Sequence, residues 1–210
     1  MDIRSFPWHA LSCVQLKRKS ITWRHDRASN LLCQFARSND CLAHHSTKDL
    51  AHVLPDGDIY MAHRTVMYDV SGVNPHSPSY VNKSPGYAVD ARVTSKASKY
   101  AELARQHGCD FVPFVLDSYG SLSRSAKQLV RDIQSESLTT LTPSSPFRIS
   151  HSAFLHQLSS SWQVDNAKIF VQWMTLTRQH VTRNVLRPQM LRVVTQPTPA
   201  LTAPSVAPST

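Results

Sequence analysis

Apolar residues recur along this chain in two periods, and the switches between them divide it into elements. Ala28, Leu31, Leu32, Phe35 and Ala36 fall on one side of a 3.6-residue period, predicting a helix over residues 23–37 that ends at Asn39 and Asp40. Residues 55–60, PDGDIY, read as a turn entering a short strand. TVMYDV at 65–70 is rich in strand formers, so the two segments predict adjacent antiparallel strands. Pro75, Pro78, Pro85 and Gly86 punctuate the next stretch as a loop. Val89, Val93, Ala97, Tyr100 and Ala104 then form a helical stripe, predicting a helix over 87–107 with Gly108 as its stop. The continuous apolar run FVPFVLD, 111–117, predicts a buried strand, central in the sheet and beside the strand that carries Asp69. Leu122, Ala126, Leu129, Val130 and Ile133 give the core face of a further helix, capped by Ser121 or Ser123. A last helix over 165–185 is expected to turn Ala167, Phe170, Val171 and Met174 inward.

The chain thus divides into an irregular basic segment at 1–20, a core at 21–137, a linker with C-terminal helices at 138–195, and a tail at 196–210. Within this division, 135–147 reads as linker. The Pro, Thr, Ser and Ala of the tail predict disorder. The order helix, strand, strand, helix, strand, helix indicates a small α/β sandwich, a short mixed sheet flanked by helices.

Composition narrows the function. With a net charge of +9 the chain favours nucleic acid or an anionic surface. No apolar run reaches the ~20 residues of a membrane helix, and the N-terminus has no apolar signal region, so an intracellular protein is expected. Cys13, Cys33, Cys41 and Cys109 form no CxxC pair and are expected to be reduced, Cys109 as a small core residue.

The candidate chemistry centres on Asp56 and Asp69. Twelve residues separate them, and a hairpin of that length can bring both carboxylates to one edge of the sheet. Two such carboxylates make a hard-oxygen site suited to Mg²⁺ or Mn²⁺. Pro-Asp-Gly is also an ordinary turn sequence, and Asp69 alone could be a surface residue. Arg92, Lys96 and Lys99 border the apolar stripe of the 87–107 helix, with Lys96 nearest to it. That position suits a lysine that orients water or neutralises a phosphate oxygen, although most basic runs are solvated flanks. His44, His45, His52 and His63 have no regular ligand spacing.

Taken together, PDGDIYMAHRTVMYDVSGVNPHSPSY, KASKYAEL and FVPFVLDSYG resemble the C-terminal restriction-like endonuclease domain of LINE-type retrotransposons, part of the PD-(D/E)XK nuclease fold. Pro55-Asp56, Asp69 and Lys96-Ala97-Ser98-Lys99-Tyr100 match that family's acids and its Lys-x-x-Lys-Tyr helix in order and spacing. Arg24-His25-Asp26 matches its Arg-His-Asn/Asp element, and His9 and Cys13 resemble the last two ligands of its zinc knuckle. The departures are Leu54 where a basic residue is usual, and Ser71 where the general nuclease pattern has its lysine. The first two knuckle ligands are absent, so zinc is not expected here.

The resemblance implies a Mg²⁺-dependent (or Mn²⁺-dependent) DNA endonuclease that nicks DNA for target-primed reverse transcription. Asp56 and Asp69 would be metal ligands and Lys96, with Lys99 second, the catalytic lysine. Arg24, His25, Arg92 and Lys99 would contact nucleic acid. It further implies a nuclear protein that is the tail of a longer polyprotein, whose parent would also handle the element's RNA. The alternative is an inactive retroelement remnant or a non-enzymatic basic DNA-binding module.

Overall fold

A computed structural model describes Leu11 and residues 22–45, 55–139 and 148–181. The elements are α1 (Thr22–Ser38), β1 (Leu42–His45), β2 (Gly57–Tyr60), β3 (Thr65–Val73), α2 (Tyr87–Gln106), β4 (Asp110–Asp117), α3 (Arg124–Thr139) and α4 (His151–Val181). Residues through Val171 belong to one compact unit. A second unit begins at Gln172, and its described residues, 172–181, are helical. His9, Cys13, Leu54, His52, most of the 1–20 segment and the 196–210 tail lie outside the described residues.

The four strands form one mixed sheet in the order β1-β2-β3-β4. β1, β2 and β3 are antiparallel neighbours, with Gly57 opposite Tyr68, and β4 runs parallel to β3 from Val66↔Asp110 to Val73↔Asp117. A parallel neighbour needs a crossover, and α2 supplies it. The period-two alternation of β3 sorts its residues between two faces. Val66, Tyr68 and Val70 join the main core with Leu32 and Phe35 of α1, Leu129 and Ile133 of α3, and Phe154, Leu158 and Trp162 of α4. Val73 joins Val115 and Ala88 beneath α2, and Asp69 lies on that same side of the strand. Each large apolar side chain sealed in these layers stabilises the fold by about 1.5–3 kcal/mol. The α/β sandwich expected from the sequence is the fold observed.

Several elements differ from expectation. β1 was not foreseen, because LAHH is short and half histidine. β4 is an edge strand rather than a central one. It reads as a buried strand because α2 covers one face while Phe114 and Leu116 enter the main core on the other. Leu122 precedes α3 and bridges to Leu116, while Ser123 caps the helix by accepting the Ala126 N–H at 3.2 Å. α3 continues through Thr139 into the expected linker. Cys109 is partly exposed rather than in the core.

α4 begins at His151, well before the expected start, and buries Phe154, Leu158, Trp162 and Ile169. Ala167, Phe170, Val171 and Met174 are exposed instead. The apolar anchors sit in a Ser- and Gln-rich background that hides their helical period. Phe154 stacks on Phe35 with ring centroids 4.3 Å apart, which draws this face inward. Among the described residues, no helix is long and apolar enough to cross a membrane.

Two glycines mark close approaches around the end of the sheet. A Cβ on Gly57 would lie 2.2 Å from the His44 carbonyl oxygen, so the backbone of β1 can approach only a glycine there. A Cβ on Gly72 would lie 2.9 Å from the Trp162 ring and 3.1 Å from the Arg24 guanidinium.

Candidate active site

The pairing of β2 with β3 ends at Gly57 and Tyr68, and the chain just before Gly57 bends over the free part of β3. There the Asp56 N–H donates to the Tyr68 carbonyl at 2.9 Å, and Asp56 Oδ2 accepts the Val70 N–H at 2.5 Å. Asp56 therefore spans Asp69 along the strand. Both residues are buried, at 9% and 4% exposure. Burial, and then the charge of Asp56, raise the proton affinity of Asp69, so the two carboxylates share one low-dielectric neighbourhood.

A cation approaches each acid from a different helix. His25, in the first turns of α1, places Nε2 3.0 Å from Asp56 Oδ2 and Nδ1 3.3 Å from Asp26 Oδ1. Burial opposes its charge, but the bond to Asp56 and the nearby carboxylates prevail, and the imidazolium is raised to about 9. Lys96, on α2, places Nζ 2.7 Å from Asp69 Oδ2, as an ion pair rather than an aligned hydrogen bond. Among the described residues, neither Asp56 Oδ1 nor Asp69 Oδ1 has a hydrogen-bond or ion-pair partner. Among the described residues, each acid thus has one oxygen held by the protein and one without a partner.

The structure brings together four of the residues singled out in the sequence: His25, Asp56, Asp69 and Lys96. It gives Lys99 and Arg24 other partners. Lys99 donates to the Tyr100 hydroxyl at 2.7 Å and lies 4.4 Å from that ring's centroid, so its ammonium is engaged away from the acids. Arg92 lies one turn before Lys96 on α2, partly exposed, and its Nε is buried without a hydrogen-bond partner.

Arg24 corrects an expectation. It is 7% exposed, its guanidinium carbon lies 4.3 Å from the Trp162 ring centroid, and it donates to Asn166 Oδ1. Burial, partly offset by Asp165, lowers its pKa to about 10. Asn166 in turn donates to the Ser118 carbonyl at 2.7 Å. Arg24 is thus part of the joint between α1, α4 and the turn after β4, and it does not present its charge to a ligand. The apolar face of α1 contained the signal, since Arg24 lies one helical turn before Ala28 and on the same side. The partnership of His25 with Asp56 had no local signature, because it joins residues on separate elements.

Asp56 and Asp69 are the residues that could hold a metal ion. Among the described residues, no three His, Cys, Asp or Glu side chains converge to hold an ion by themselves. Two buried carboxylates, each with an open oxygen, match Mg²⁺, which binds proteins through one or two carboxylates and keeps water or phosphate for the rest. No protein-family model matches this chain, and the curated proteins contain no match to it.

Proposed function

We propose that this domain is a metal-dependent DNA endonuclease of the PD-(D/E)XK type, nicking one strand. The observation that carries the reading is the juxtaposition of Asp56 and Asp69, buried together at the end of a mixed sheet with one oxygen of each open. The element order also supports it. A hairpin supplies the two acids, and the crossover helix supplies the lysine that the second strand lacks at Ser71.

Mg²⁺ or Mn²⁺ at the open oxygens would neutralise charge on the scissile phosphate and favour deprotonation of the attacking water. The residues of the chain supply the rest. The Val70 N–H and His25 hold Asp56 through Oδ2, which leaves Oδ1 for a ligand. Lys96 holds Asp69, and its positive charge beside the acids suits neutralisation of a phosphate oxygen. The net charge of +9 supports DNA as the partner, with affinity carried by phosphate contacts. In a retroelement setting, the 3′ hydroxyl at the nick would prime reverse transcription in the nucleus.

A second reading, a DNA-binding module without catalysis, draws on the same ion pairs. His25 and Lys96 each pair with one of the carboxylates, so the ion pairs also serve the fold.

Plasmid nicking in Mg²⁺ or Mn²⁺ separates the two. The nuclease reading expects nicking that stops with a chelator and is abolished in Asp56→Asn and Asp69→Asn proteins that still bind DNA. Nicking equal in wild type and both variants, or no nicking by protein shown to be folded, sinks it.

A further inference from the structure

On the outward side of α1, the Trp23 indole is 42% exposed although the same turn buries Arg24 and Ala28 against α4. Two cations flank it. Lys168 Nζ lies 4.5 Å and the Arg27 guanidinium carbon 5.6 Å from its ring centroid. We propose that Trp23, with Arg27 and Lys168, is a stacking platform for an unpaired base of single-stranded DNA.

A lone exposed aromatic residue needs no explanation. Here, however, the flanking cations are tied down from beneath. Asp165 is 1% exposed, and its Oδ1 lies 3.5 Å from Arg27 and 4.0 Å from Lys168 without an aligned hydrogen bond. A sealed carboxylate is costly unless it is compensated. Burial raises its pKa, and Arg27, Lys168 and Arg24 oppose that rise. The arrangement restrains two side chains that would otherwise sample many rotamers and keeps them near the indole while the side chains remain 42% and 56% exposed. A half-exposed indole with two cations held over its ring suits a nucleotide. The base stacks on the indole, and the phosphates on either side meet the cations. A duplex keeps its base faces stacked inside, so the fit is to a single strand.

Trp23 and His25 are two residues apart on one helix, roughly 200° around its axis, so the platform and the acid pair leave α1 on different sides. The binding therefore stands apart from the nuclease reading.

The test is fluorescence anisotropy of the full chain with a short labelled oligothymidylate strand, and with a duplex of the same length, in chelator so that no cleavage occurs. Trp23→Ala should weaken single-strand binding roughly tenfold or more while changing duplex binding little. Trp23→Tyr should retain most of the single-strand affinity. Lys168→Gln, with its fold checked by circular dichroism because Lys168 helps compensate Asp165, should weaken it and lower the salt slope by about one. Single-strand affinity unchanged in both Trp23→Ala and Lys168→Gln, an equal loss for strand and duplex, or no single-strand binding by wild type overturns the proposal. A protein that fails to nick but shows the Trp23 dependence would remove the nuclease reading and leave this one. A nicking protein indifferent to Trp23→Ala would do the reverse.

Discussion

Asp56 brackets Asp69 along β3, bonding the Tyr68 carbonyl with its backbone N–H and the Val70 N–H with its carboxylate. Two like charges are thereby held close in a buried setting, and the cost is offset by cations from α1 and α2. Opposed terms of this kind leave signatures in stability that can be measured without any activity assay.

The first signature belongs to His25. Its folded-state pKa is raised from 6.5 to about 9, so its charge stabilises the fold fully below pH 6.5, and that stability is lost as pH rises through about 9. The side chain is 32% exposed, and the contribution is expected at about 1–3 kcal/mol once solvent screening is allowed for. His25→Gln keeps a donor for Asp56 without the charge. Denaturant midpoints of the two proteins should converge with rising pH across this window. A difference that stays constant from pH 6.5 to 9 would show that the imidazolium is not held by the acids.

Lys96→Ala should act with the opposite pH sense. Burial and Asp56 already raise the Asp69 pKa, and removing its ion-pair partner raises it further. A carboxylate whose folded pKa is raised costs stability above that pKa, and the cost fades as pH falls through it. The variant is therefore expected to lose about 1–3 kcal/mol at neutral pH. It should recover part of that loss in mildly acidic solution, read by thermal melts across pH. A loss that does not change with pH would mean Lys96 acts through packing alone. In the nuclease reading the same variant nicks more slowly by on the order of 100-fold.

The two close-packed glycines predict an order of damage. In Gly57→Ala the new methyl meets the His44 carbonyl, a backbone atom fixed in the sheet. In Gly72→Ala it meets side-chain atoms of Trp162 and Arg24 at 2.9 to 3.1 Å, a looser contact than the 2.2 Å approach at Gly57. Overpacking costs typically about 1–3 kcal/mol, so Gly57→Ala should fall at or beyond the upper end and Gly72→Ala below it. Equilibrium unfolding in urea measures both, and the reverse order would contradict the β1–β2 register.

Local pattern alone was enough to place α1, α2, β3 and β4. Each carries a long apolar signal of the right period, such as the stripe from Val89 to Ala104 or the run from Phe111 to Leu116. β1 and the first half of α4 escaped because their apolar residues are few and set among His, Ser and Gln. Their burial is decided by what they pack on, as Phe154 is by Phe35. The same division runs through the site. Spacing and residue type were sufficient to single out Asp56, Asp69 and Lys96. They could not show that His25 answers Asp56, that Lys99 turns to Tyr100, or that Arg24 is buried on Trp162. Those outcomes depend on contacts between elements far apart in the chain. A side chain's charge state and exposure follow from the groups that surround it in space, and only the assembled sheet and helices bring those groups together.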